Sequence, residues 1–67
     1  MIKDNMMERI TINGIIKARK VVTIFMVNGF QMHGYIREQD DVSVRVEVDD
    51  KNLLLYKCNI STIEYKP

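Results

Sequence analysis

The apolar pattern of this chain changes period at Val21, and that change decides what it can fold into. From Val21 to Val27 successive residues alternate, with Val22, Ile24 and Met26 on one side and Val21, Thr23, Phe25 and Val27 on the other. This is the period of a strand. Asn28-Gly29 follows, a strong hairpin signal between apolar runs. The second strand spans Phe30 to about Arg37, with Gly34 in its middle, where a glycine marks a bend or bulge that lets one strand serve a curved sheet. Val42–Val48 is the clearest strand, four valines alternating with Ser43, Arg45 and Glu47. Asp49–Asn52 supplies a turn, Leu53–Lys57 the fourth strand and Ile60–Tyr65 the fifth, with only Cys58-Asn59 between them. Five short strands, from about 21 to 65, connected this tightly predict an all-β antiparallel barrel.

Ahead of the strands, residues from about 5 to 17 read as a short, poor helix. Asn5 is its N-cap, with Glu8 three residues on, and Met7, Ile10 and Gly14 form a stripe beside Met6 and Ile15. Gly14 and the β-branched Thr11 and Ile12 weaken it, so it depends on packing against the barrel. Lys17, Arg19 and Lys20 close it with positive charge, favourable at a helix C-terminus.

The 67 residues form one domain, 1–67. A domain of this size buries only about 60% of its unfolded surface, so oligomerisation is expected. The net charge of +1 does not by itself indicate a nucleic-acid partner; local clusters must carry that case. One cysteine, Cys58, excludes an internal disulfide, and with His33 the only histidine there is no zinc set. No metal, cofactor or small-molecule substrate is expected, and a reducing, cytoplasmic location fits. The longest apolar run, Val21–Val27, is too short to span a bilayer.

"VTIFMVNGFQMHGYI", then Asp40, then "YKCNIST" resembles the Hfq family, the bacterial Sm-like RNA chaperones, with their "VNG" or "LNG" hairpin, "G-x-I" bend and terminal "YKHAIST". The resemblance covers nearly all of Val22–Ile63. It implies a strongly bent five-stranded Sm-like (SH3-type) barrel carrying an N-terminal α-helix, assembled as a homohexameric ring in which the fourth strand of one subunit pairs with the fifth of the next. Single-stranded RNA is then the partner, in post-transcriptional regulation by messages and small RNAs.

The resemblance further implies where RNA binds. On the distal face, which takes A-rich strands, the matching positions are Phe25, Gly29, Phe30, Gln31 and Met32. At the proximal pore, which takes U-rich ends, they are Asp41, Val42, Tyr56, Lys57 and Cys58, and Tyr56 also falls at the subunit boundary. Here the chain departs from the pattern: Asp41 stands where Gln or Lys is usual, Val42 where an aromatic stacks, and Cys58 where a histidine belongs. A carboxylate repels phosphate, valine has no π-face and a thiol is a weak donor; Glu8 adds to the repulsion. Asn13, Lys17 and Arg19 are left for a basic rim, interrupted by Ile16. The alternative is a divergent paralogue acting as a protein–protein adaptor with little RNA affinity. An enzyme is not expected: Lys57 beside Cys58 permits an activated thiol, but no base or orienting partner converges on it by spacing.

Overall fold

The computed structural model describes residues 6–66. Helix α1 (Met6–Ala18) precedes strands β1 (Val21–Met26), β2 (Gln31–Gln39), β3 (Ser43–Val48), β4 (Lys51–Tyr56) and β5 (Ile60–Glu64), and a single 3₁₀ turn, Lys57–Asn59, joins the last two. Asn5 and its expected capping role lie outside the described residues. The strands form one antiparallel sheet in the order β4-β3-β2-β1-β5. The architecture is the expected one, a five-stranded antiparallel Sm-like sheet behind an N-terminal helix. Among the described residues no helix is long and apolar enough to cross a membrane.

Alternation in the strands selects the core. Val22 and Ile24 of β1, Ile36 of β2, and Val44 and Val46 of β3 are buried with Ile12 and Ile15 of α1; Leu55 of β4 and Ile60 and Ile63 of β5 pack on their margin. All five strands therefore turn one face onto a single cluster, which requires a strongly curved sheet. Two features supply curvature. A Cβ on Gly34 would lie 2.3 Å from the Glu47 carbonyl oxygen and 2.8 Å from Val48 Cγ2, so only glycine lets β3 approach this closely. Between Ile36 and Glu38 the register with β3 shifts by one residue, leaving Arg37 as a bulge. Bulges bend a strand and re-aim the side chains beyond them; after this one Gln39, not Glu38, turns inward.

Several boundaries and faces differ from expectation. The helix buries Ile12 and Ile15, whereas Met7 and Ile10 are 77% and 62% exposed; the apolar positions offer two overlapping stripes, and the β-branched one fills the barrel mouth. Val42 precedes β3 and is 63% exposed, while Ser43 is buried, because Asp40 draws in the amides of Val42 and Ser43 and the Ser43 hydroxyl. The turn after β3 is two residues, Asp49 and Asp50, at φ 50° and 67°, with Val48 opposite Lys51. Positive φ at both is a type I′ hairpin, which frees Lys51 and Asn52 to start β4. Lys57 falls in the 3₁₀ turn and not in β4.

Helix α1 stops at Arg19, which takes φ 54°. The Lys20 amide donates to the Ile15 carbonyl at 3.3 Å and the Arg19 amide to that of Ile16 at 3.1 Å, the paired bonds of a Schellman cap.

Candidate nucleic-acid interface

The hairpin tip joining β1 and β2 is a three-residue loop closed by backbone. Met26 donates to the Phe30 carbonyl at 2.7 Å, Gly29 donates to that of Met26 at 3.0 Å, and Gly29 takes φ +97°, the left-handed position of a bulged hairpin. The Asn28 side chain accepts from the Phe30 amide at 3.1 Å. This holds Phe30 outward, 70% exposed. Behind it, Phe25 lies opposite Gln31 on β2 and Thr62 on β5, so these three share a row on the outer sheet face. Met32 is not brought to that row: it pairs with Ile24 and packs against the core.

The 3₁₀ turn adjoins the hairpin loop, the Val27 amide donating to the Asn59 carbonyl at 2.8 Å, and the residues around Lys57 are held by one another. The Lys57 amide donates to the Val42 carbonyl at 2.8 Å, fastening the 3₁₀ turn to the loop after β2. Asp40 organises that loop, and the donated amide bonds of Val42 and Ser43, then the Ser43 hydroxyl and the charge of Lys57, hold its carboxyl below the ordinary 3.8. The Lys57 ammonium donates to Gln39 Oε1 at 3.0 Å and stands 3.9 Å from the Glu8 carboxylate. Arg9 pairs with Asp41. Lys57 and Arg9 thus each face an acid of the same chain. Val42 and Tyr56 are exposed beside them.

Gln39 and Arg9 were not among the expected site residues. Gln39 Nε2 donates to the Arg9 carbonyl at 2.9 Å and to Asn13 Oδ1 at 2.8 Å, so one amide spans α1 and the Lys57 ammonium. No motif marks it, because its partners lie far away in sequence. Asn13 is therefore engaged with Gln39, whereas Lys17 and Arg19 are exposed and make no ion pair among the described residues.

Cys58 is an exposed free thiol in the 3₁₀ turn. Its side-chain contact is to Asn59 Oδ1 at 3.9 Å, which is no base. His33 is on β2, hydrogen-bonded to Thr23 Oγ1 at 2.9 Å.

The chain resembles known proteins along most of its length. A family model described as "Hfq protein" matches residues 7–66. A Syntrophomonas wolfei protein named RNA-binding protein Hfq is 46% identical over 52 residues, 78% of this chain and 63% of that protein. The Clostridium botulinum (strain Hall) protein of the same name is 41% identical over 59 residues, covering 88% of this chain and 69% of the relative. The chain thus spans about two thirds of the length of these relatives. A crystal structure of the pleiotropic translational regulator Hfq superposes with a TM-score of 0.85 at 34% identity, over 87% of this chain and 97% of that one.

Proposed function

The chain belongs to the Hfq family, and from that premise we propose that it binds single-stranded RNA as a homohexameric ring. A-rich strands occupy its distal, hairpin-bearing face and U-rich binding at the proximal pore is weakened, in post-transcriptional regulation. The observation that carries the reading is the contrast between the two groups of residues. At the hairpin, aromatic surface is presented to solvent by Phe30 and, in part, by the half-buried Phe25, and stacking of a base on such a ring is worth about 1 to 3 kcal/mol. At the pore, Lys57 and Arg9 already face Glu8 and Asp41, so phosphate must compete with a carboxylate for each.

Ring assembly is supported by the sheet order. Both β4 and β5 are edges, and β4 exposes Leu54 and Tyr56, an arrangement that invites pairing with another chain. Beside β5 runs a groove of about 270 Å³, lined by Met7, Thr11, Ile60, Ile63 and Tyr65 among others, a fitting receptor for apolar side chains of a neighbour's β4. The exposed Met7 then has a partner. The lone free thiol suits a cytoplasmic location.

The test is a paired titration with oligo-A and oligo-U of equal length, on protein whose mass is fixed by light scattering. A hexamer that binds oligo-A more tightly is the expected result. A monomer at micromolar concentration overturns the ring, and equal or tighter oligo-U binding overturns the assignment of the faces.

A further inference from the structure

The dipeptide Asn-Gly occurs twice in this chain, as Asn13-Gly14 and as Asn28-Gly29. Attack by the glycine amide nitrogen on the asparagine side-chain carbonyl carbon closes a five-membered ring, and the missing Cβ leaves that approach open. Both pairs are exposed, so the backbone around each decides which one reacts.

Asn13-Gly14 lies inside α1. There each amide points along the helix axis to the preceding turn, and the Asn13 side chain is held toward Gln39, whose Nε2 donates to Asn13 Oδ1 at 2.8 Å. Nucleophile and carbonyl carbon are turned apart, and bringing them together requires unwinding the helix.

At Asn28-Gly29 the loop does the reverse. The Phe30 amide donates to Asn28 Oδ1 at 3.1 Å, an Asx turn that folds the carboxamide over the Gly29 backbone and polarises its carbonyl. That N–H is aimed where negative charge gathers when a nucleophile adds to the carbon, the role of an oxyanion donor. Nδ2, the leaving nitrogen, has no hydrogen-bond partner among the described residues. Apart from its chain neighbours, no heavy atom lies within 4 Å of where a Cβ on Gly29 would stand, so solvent reaches the amide. The restraint is the Gly29 N–H bond to the Met26 carbonyl at 3.0 Å, a single turn bond at a loop tip, of the kind that opens locally at little cost.

We propose that Asn28 is a self-deamidation site, converted within the hairpin to aspartate and isoaspartate, while Asn13 is spared. Gly29 N loses its proton to solvent base and bonds to Asn28 Cγ; the Cγ–Nδ2 bond breaks and the nitrogen leaves with a proton as ammonia, giving a succinimide. Water then adds across one imide C–N bond. Opening at Cγ yields aspartate and opening at the Asn28 main-chain carbonyl yields isoaspartate, with no change of oxidation state. Either product adds one negative charge beside Phe30, and isoaspartate also lengthens the backbone by a methylene. On the RNA-binding reading above, the added charge repels phosphate at the hairpin, so the chain loses affinity for A-rich strands as it ages.

The test is incubation of the full chain in mildly alkaline buffer, folded and in urea, followed by tryptic mass spectrometry; Asn13 and Asn28 fall in separate peptides, Ile10–Lys17 and Val21–Arg37. Folded protein converts Asn28 about tenfold or more faster than Asn13, because only the helix site must unfold to react. Methyl transfer by a protein isoaspartyl methyltransferase then labels the Asn28 peptide alone, and in urea the two rates converge. Folded protein that deamidates both equally, or Asn13 first, overturns the site, as does folded protein that reacts at neither while unfolded protein reacts at both. Asn28→Asp reads the consequence: oligo-A binds about two- to fivefold more weakly at low salt, and the loss fades as salt screens it. Unchanged affinity in that variant overturns the link to RNA. Wild-type protein that binds no oligo-A overturns the RNA-binding reading alone, since the peptide masses are read without RNA.

Discussion

Lys57 and Gln39 meet at 3.0 Å, ammonium to amide oxygen, and that amide spends its two N–H groups on α1, at the Arg9 carbonyl and Asn13. Lys57 is therefore fixed to the helix that also supplies Glu8. Its position is set by the same contacts that screen its charge.

Removing the acids frees those cations. Glu8→Gln with Asp41→Gln raises oligo-U affinity by about 2- to 10-fold at low salt, the exposed Arg9–Asp41 pair being worth about 0.2 to 1 kcal/mol and the Lys57–Glu8 pair, with its lysine mostly buried, adding to it. The gain shrinks toward 1 M salt, where charges more than about 3 Å apart are screened. Fluorescence anisotropy across a salt series checks this, and an unchanged low-salt affinity contradicts it.

The proposed pore also carries a valine at Val42, where the family pattern has an aromatic. Val42→Phe together with Cys58→His raises oligo-U affinity about tenfold, the effect of roughly 1.4 kcal/mol from one stacked base. Oligo-A affinity stays within about twofold, because neither substituted side chain touches Phe25 or Phe30; the link between the 3₁₀ turn and the hairpin is the backbone bond from Val27 to the Asn59 carbonyl, which both substitutions leave in place. No gain in a correctly assembled double variant contradicts the pore assignment.

Gly34→Ala forces a methyl into the Glu47 carbonyl. Backbone cannot yield as a flexible side chain does, so the expected loss is about 2 to 3 kcal/mol or more. Thermal unfolding at fixed protein concentration measures it. A Tm within a degree or two of wild type means that β3 moves aside freely.

Three residues hold left-handed backbone without being glycine, Arg19 at the helix end and Asp49 and Asp50 in the hairpin. Left-handed φ costs an L-residue about 1 to 2 kcal/mol. Arg19→Gly and Asp50→Gly each raise Tm by several degrees, at about 4 to 8 °C per kcal/mol for a domain this small. Their effects on RNA differ: Arg19→Gly weakens binding and Asp50→Gly does not.

Asp40 gives the chain an acid-sensitive loop. Its carboxyl sits below the ordinary 3.8 when folded, chiefly through the amides of Val42 and Ser43, so its contribution is fully present above that value and is lost as pH falls through the folded pKa. Asp40→Asn removes this part of the pH dependence. Parallel melts of wild type and variant between about pH 5 and pH 2 test it, and parallel curves contradict it.

Period-two alternation and the Asn28-Gly29 dipeptide were enough to read β1, β2 and their hairpin, since both signals are local. The helix was harder. Met7 and Ile10 are as apolar as Ile12 and Ile15, and only the sheet beneath α1 decides which pair is covered. The four valines from Val42 to Val48 read as one face, but Asp40 bonds Ser43 and leaves Val42 outside the strand; a side chain capturing two amides breaks an alternation that composition alone suggests. The two-residue turn at Asp49 and Asp50 hid behind an Asp-Asp-Lys-Asn run that looks like one loop. At the pore, Asp41, Val42, Lys57 and Cys58 were singled out by comparison with a pattern, whereas Gln39 carries no such mark, because its bonds to Arg9, Asn13 and Lys57 exist only once α1 and the 3₁₀ turn are in place.

The bulge at Arg37 has a consequence for how copies add up. When the edge of one subunit pairs with the opposite edge of the next, each addition rotates by a fixed angle, and the series either returns to its start or continues without end. In the proposed ring that angle depends on how far β4 and β5 are splayed, and the bend in β2 lies between them. Deleting Arg37 would straighten the strand and open the angle, and the product to look for by electron microscopy is a filament.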